Sequence, residues 1–269
     1  MNAASWRVVA GSVAGPQHAN VELSNQDSVR QRMLPGGLHA LAVADGAGPA
    51  ARATLGSNFA VEAAIAAAVR CFPEPPVGLA GWRSATLAFA DECLSGFDEE
   101  VAHAGGPRAD YSTTLLAVIL APPFLAYVCV GGCFLVAQRD PGGSSLVVAP
   151  RAVLVPAAEP PASAVNPGLS GAVYLTSPHR DEDLRHGVLA DTALSGVALG
   201  TGGVVDGMLR AAYAPDGSAY HVAPAGFDEY FDTFRDDAVD ARVLSRRLRS
   251  REFAASSGDD KTLLMAVRR

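Results

Sequence analysis

The chain has 269 residues, long for one domain and short for two. With 49% hydrophobic and 18% charged residues it has enough apolar material for a large core and too few charges for a disordered chain. A formal charge of −7 excludes a nucleic-acid binder that works by neutralising phosphates.

In chain order, strands come first. Trp6 to Ala14 is rich in valine and small residues, and Ser28–Leu34 and Leu38–Ala44 flank Pro35-Gly36-Gly37, a hairpin signal. The period then changes. Arg52 to Phe72 is alanine-rich and helical, stopped by Pro73, and Trp82 to Ala104 is a second helix ending at Gly105-Gly106-Pro107. Strands return over Ser112–Ala121, Phe124–Arg139, Ser144–Ala149 and Val153–Val155, with two more at Ala172–Thr176 and Val197–Thr201. Val204–Tyr213, Phe227–Phe234 and Asp236–Phe253 read as helices, and Thr262–Val267 as a closing strand. The proline-rich stretch from Pro156 to Pro167 reads as a loop within a single domain spanning 1–269. Hairpin-joined strands with helices outside predict an α+β layered domain of antiparallel sheets.

From Tyr111 to Gln138 no charged residue occurs. Pro122-Pro123 and Gly131-Gly132 interrupt the run, so it reads as buried strands and turns rather than a membrane helix. Cys71, Cys93, Cys129 and Cys133 sit in apolar surroundings without Cys-x-x-Cys spacing, as buried thiols of a reducing compartment do. The first residues lack a secretory layout, so the expected location is cytoplasmic, with no membrane partner.

Three acidic spots each lie at a strand end in a glycine-containing loop. Asp45 ends an apolar strand and is followed by Gly46-Ala47-Gly48. Asp27 precedes the strand that pairs with it, so the hairpin makes the two carboxylates neighbours. Asp259-Asp260 stands directly before the final strand. Oxygen donors from several strand ends suit a hard cation such as Mg²⁺ or Mn²⁺, which also offsets the repulsion between the acids.

Gly15-Pro-Gln-His18 with Asn25-Gln26-Asp27, Ala44-Asp45-Gly46-Ala47-Gly48, Ser112-Thr113-Thr114-Leu115 and Asp259-Asp260-Lys261-Thr262-Leu263 occur in an order that resembles the PP2C (PPM-type) metal-dependent serine/threonine phosphatases in their short bacterial form. The resemblance covers essentially the whole chain. It implies a β-sandwich of two antiparallel sheets flanked by α-helices. It also implies hydrolysis of phosphoserine and phosphothreonine in proteins by a metal-activated water, with two Mn²⁺ or Mg²⁺ ions and a cognate kinase as partner. Carried over, Asp45 bridges the metals, the Gly46 carbonyl binds one, Asp259 binds the other, and Asp27 holds metal-bound water. Asp260 is the weaker of its pair by position. Glu22 stands where the family has a phosphate-binding arginine, and His18 is the substitute phosphate contact. Two positions depart from the pattern: Gly132 and Gly202 stand where acids are expected. They motivate the alternative of a weak or inactive pseudophosphatase that binds phosphoproteins.

One rival rests on Cys133 to Arg139, a Cys-x5-Arg match to a cysteine phosphatase. The intervening Phe134-Leu135-Val136-Ala137 reads as buried strand rather than as a phosphate-cradling loop.

Overall fold

A computed structural model describes residues 5–19, 24–150, 172–216 and 219–269. Its strands are β1 (Trp6–Val13), β2 (Ser28–Met33), β3 (His39–Ala44), β4 (Leu115–Ala121), β5 (Phe124–Val130) and β6 (Phe134–Arg139). They continue as β7 (Gly143–Val148), β8 (Arg185–Ala190), β9 (Leu194–Gly200), β10 (Arg210–Tyr213), β11 (Ala219–Val222) and β12 (Lys261–Arg268). The helices are α1 (Pro16–Ala19), α2 (Ala53–Cys71), α3 (Gly78–Ala104), α4 (Arg180–Asp183), α5 (Val205–Met208), α6 (Phe227–Arg235), α7 (Arg242–Leu248) and α8 (Arg251–Ser256).

Two five-stranded sheets, ordered β1-β12-β9-β6-β7 and β2-β3-β4-β5-β8, have antiparallel pairing throughout. Strand alternation explains how they stack. In β4, Leu116, Val118 and Leu120 point into the layer between the sheets, while Leu115, Ala117 and Ile119 point at α2 and α3. In β12, Leu264 and Ala266 face the other sheet, and Leu263, Met265 and Val267 face the C-terminal helices. Strands buried on both faces read as unbroken apolar runs. That is why the uncharged stretch from Tyr111 to Gln138 looks like a membrane span in composition alone. Among the described residues no helix is long and apolar enough to cross a membrane.

The alanine content of α2 serves close packing. A Cβ at Gly56 would lie 2.2 Å from the Tyr111 carbonyl oxygen, so the helix abuts the turn before β4. On the opposite side Phe227, Tyr230, Phe231 and Phe234 recur at helical spacing in α6 and pack against β6, β9 and β12.

Several expectations need correction. The stretch from Phe124 to Arg139 is two strands in different sheets, because Gly131 takes φ +91 and turns the chain between them. Ala172–Thr176 is not a strand; it runs alongside Thr113 with one hydrogen bond, Leu175 N–H to the Thr113 carbonyl (2.8 Å). Val204–Tyr213 is one helical turn followed by β10, which pairs with β11 in a separate hairpin. Asp236–Phe253 divides into α7 and α8 with a turn before them. The sequence reading missed β8, whose polar face hides the alternation. Val153–Val155, Pro156–Pro167 and Glu22 lie outside the described residues.

Candidate active site

The β2–β3 register ends at Ser28 opposite Ala44, so Asp27 and Asp45 follow side by side. Asp45 is fixed by its backbone. Its N–H donates to Thr114 Oγ1 (3.0 Å), and its carbonyl accepts from the Thr114 N–H (2.9 Å) and from Thr113 Oγ1 (2.9 Å). The Ser-Thr-Thr motif before β4 therefore clamps the residue that ends β3. Gly46 bridges to Thr113, and a side chain there would press to 2.8 Å from the carbonyl oxygens of Gln26 and Ala53. The bonds to Thr114 and Ser112 use the carbonyl of Asp45 and the N–H of Ala47, leaving the Gly46 carbonyl unclaimed by that pairing.

The other sheet supplies Asp259, at the entry to β12. It lines one cavity of about 600 Å³ with Asp45, Gly46, His18, Gly132 and Tyr174. Residues more than two hundred positions apart, Asp45 and Asp259, thus line one cavity. Asp260 turns the opposite way and is buried. Its Oδ1 accepts from the Gly15 N–H (2.8 Å), and its Oδ2 from the Gln26 N–H (2.6 Å) and His18 Nδ1 (2.8 Å). Asp260 therefore staples the 15–27 segment to β12 and orients His18 towards the cavity. Below it, buried Lys261 donates to the carbonyls of Ser257 and Asp259 (both 2.7 Å) and holds that loop from inside.

Asp27 is buried; its Oδ2 accepts from Thr201 Oγ1 (2.8 Å), while its Oδ1 has no partner. Burial raises its pKa to about 7, against opposing hydrogen bonds from Thr262 and Thr201 and with help from the charges of Asp260 and Asp259. Asp45 is pushed well above the carboxylate range by desolvation and by the charges of Asp27 and Asp259. Asp259, the most exposed of the three, is raised by desolvation at the cavity wall and by Asp260. Acids that resist ionising together, one with an orphaned oxygen, are groups that a divalent cation would satisfy. Among the described residues no group of three or more His, Cys, Asp or Glu side chains is gathered as a ready cation cage. The oxygen groups that line the cavity from the two sheets are the carboxylates of Asp45 and Asp259 and the backbone of Gly46.

The two glycine departures differ. At Gly132 a Cβ meets nothing within 4 Å, so an acidic side chain would have room. Gly202 donates its N–H to Asp45 Oδ2 (3.2 Å), and a Cβ there would sit 3.0 Å from that oxygen. Cys133 is fully buried beside Thr114 (3.2 Å), with its thiol pushed up by burial, and Phe134–Arg139 is β6; no phosphate-cradling loop exists there.

Sequence reasoning missed Thr201 and Thr262, which hold Asp27, and Tyr174, which lines the cavity. The threonines carry a weak signal: Thr262 stands near the start of β12, just after Asp259-Asp260-Lys261, and Thr201 follows β9 directly before Gly202. Tyr174 carries none, because only tertiary folding brings it there.

The protein phosphatase 2C profile matches residues 14–249. Among solved structures, the S. agalactiae serine/threonine phosphatase is similar with TM-score 0.64 and 15% identity, covering 98% of this chain and 100% of that one. The Staphylococcus aureus serine/threonine phosphatase Stp1 gives TM-score 0.60 and 14% identity over 98% and 95% of the two chains. The catalytic domain of serine/threonine protein phosphatase PstP, a complex with two manganese ions, gives 0.56 and 20% over 98% of each. No curated protein sequence matches significantly. With the sandwich, the hairpin-paired acids and a profile match over most of its length, this chain belongs to the protein phosphatase 2C family.

Proposed function

We propose that this protein hydrolyses phosphoserine and phosphothreonine in proteins at the Asp45–Asp259 cavity, with Mn²⁺ or Mg²⁺ bound there. One observation carries the reading: acids from opposite ends of the chain and from different sheets line one cavity with Gly46 and an oriented histidine. The residues fit such cations, since the donors are all oxygen and Asp27 Oδ1 lacks a partner.

Asp45, the Gly46 carbonyl and Asp259 would hold the cations, and Asp27 a water through its free oxygen. A bound divalent pair acidifies water and offsets charge on phosphoryl oxygens. The protein itself does three things. Thr113 and Thr114 fix the Asp45 backbone, so that little reorganisation is needed during reaction. Lys261 and Asp260 fix the loop bearing Asp259. His18, its Nδ1 committed to Asp260, turns the rest of its ring to the cavity, where as an imidazolium it would donate from Nε2 to a phosphoryl oxygen in place of an arginine.

The 269 residues act as one catalytic domain on phosphoproteins in the cytoplasm, opposite a cognate serine/threonine kinase. The test is turnover of p-nitrophenyl phosphate and a phosphoserine peptide across a Mn²⁺ titration, then with EDTA. Turnover that rises with Mn²⁺ and stops with chelator supports the proposal. Peptide binding without turnover at millimolar Mn²⁺ would contradict it and favour a phosphoprotein-binding role.

A further inference from the structure

A second, smaller pocket of about 200 Å³ opens beside the acidic cavity, lined by Ala47, Pro49, Ala50, Ala109, Ser112 and Tyr174. The two share Ala47, Pro49 and Tyr174, so they adjoin along these three residues. We propose that this side pocket receives the side chain adjacent to the phosphorylated residue of the substrate, and that it selects a small apolar one. The inference rests on the phosphatase reading above and deepens it by naming a peptide preference.

The chemistry of the lining points to an apolar occupant. Ser112 Oγ is already engaged, donating to the Ala109 carbonyl (2.8 Å) and pairing with Thr176 Oγ1 (2.7 Å). The Ala47 N–H donates to the Ser112 carbonyl (2.9 Å), and the Ala50 N–H to the Ala47 carbonyl (2.8 Å). What remains is mostly apolar: methyl groups, a proline ring and the ring of Tyr174. A charged side chain there would lose hydration without gaining a partner.

The pocket is also preformed. The segment bearing Tyr174 is tied on both sides of the next residue: the Leu175 N–H donates to the Thr113 carbonyl (2.8 Å), and the Leu175 carbonyl accepts from Arg108 Nη2 (3.0 Å) and Arg180 Nη1 (2.9 Å). Both arginines pair with Asp98 on α3 (2.7 and 2.5 Å). The Tyr174 N–H is itself bonded to Ser177 Oγ (2.9 Å). Walls held this firmly discriminate by shape, because little ordering remains to be done on binding. Among the described residues, Pro49 and Ala109 are exposed and line the pocket. One residue along an extended chain advances only ~3.3 Å, so a neighbour of the phosphorylated residue is the side chain within reach.

The test compares kcat/KM, under saturating Mn²⁺, for phosphoserine peptides that differ only in the residue directly before or directly after the phosphoserine. At one of these positions alanine or valine is favoured over aspartate by roughly tenfold or more. Ala109→Arg, a change at an exposed rim position, reverses the order so that the aspartate peptide is preferred. Each ratio compares two peptides on one enzyme, so a partly misfolded preparation cannot produce the reversal. Tyr174→Ala, which removes the bulkiest residue that the two cavities share, shifts the preference towards leucine or phenylalanine. Wild-type ratios near one at both positions, or a ratio unmoved by Ala109→Arg, overturn the inference while p-nitrophenyl phosphate turnover still upholds the phosphatase. Absence of turnover on every substrate overturns both.

Discussion

Asp45 is the residue on which the chemistry turns, and its surroundings set two opposing tendencies. Desolvation and the charges of Asp27 and Asp259 make its ionised form costly in the free protein, and the same charge concentration attracts a cation. Asp45→Asn keeps an oxygen for the Gly202 N–H and removes the charge. Turnover should fall at least ~100-fold, about 2.7 kcal/mol in the barrier. The metal-free protein should melt at a higher temperature, as happens when a site strained for function is neutralised. Unchanged turnover, or a lower melting temperature without metal, would contradict this. Gly202→Asp works in reverse. Its Cβ would press to 3.0 Å from Asp45 Oδ2, the rotatable end of a side chain, and its carboxylate would stand beside two others. The metal-free variant should therefore be less stable than wild type, and its Mn²⁺ affinity higher by roughly tenfold, since more charged oxygens tighten a hard-cation site. Calorimetric titration and thermal melts report both signs.

At the scale of elements, the segment from Ala172 to Arg180 matters most, because hydrogen bonds and ion pairs hold it in place rather than a sheet. Partial burial pushes the Asp98 carboxyl upward, but hydrogen bonds and charges from Arg180 and Arg108 outweigh this and hold it below the carboxylate range. A depressed acid contributes stability above its unfolded pKa, near ~3.9, and loses it as pH falls through the folded value. The Asp98 side chain is about one-third exposed (35%), so screening limits the contribution to about 1 kcal/mol or less. Asp98→Asn should melt below wild type at pH 6, and the gap should close towards pH 3. Exchange of the Leu175 amide should quicken in the variant at pH 6. A gap that is constant with pH would show that the pair carries no linkage. This segment was illegible in the sequence for a physical reason. Leu175 and Tyr174 alternate like a strand, yet the Leu175 backbone bonds to Thr113 and two arginine side chains, and the Tyr174 backbone to Ser177, rather than to a neighbouring strand. Propensity also failed at Val204–Tyr213, where pairing of β10 with β11 overrides a helical composition. Where proline and glycine stand together between two strands, as at Pro35-Gly36-Gly37, the sequence was sufficient to place the hairpin.

The whole molecule is a device for bringing the two ends of a chain together. β1 pairs with β12 along its full length, and the sheet they form packs on the sheet whose β3 ends at Asp45. The layered class and the three acidic loops could be read beforehand because each depends on local pattern: apolar runs, turn glycines and acids at strand ends. The inward turn of Asp260, the threonine support of Asp27 and the place of Tyr174 could not, since they arise from contacts between the sheets. If a cation does span the sheets, it should tie them together. At tenfold excess over its Kd it adds about 1.4 kcal/mol, a few degrees in melting temperature for a chain of this size. EDTA should abolish the shift. The most direct measurement is calorimetric Mn²⁺ titration of wild type beside Asp45→Asn and Asp259→Asn. Wild type should bind Mn²⁺ tightly and each single variant at least tenfold more weakly, because carboxylates from the two sheets would share the ion. Wild-type affinity in Asp259→Asn would contradict this.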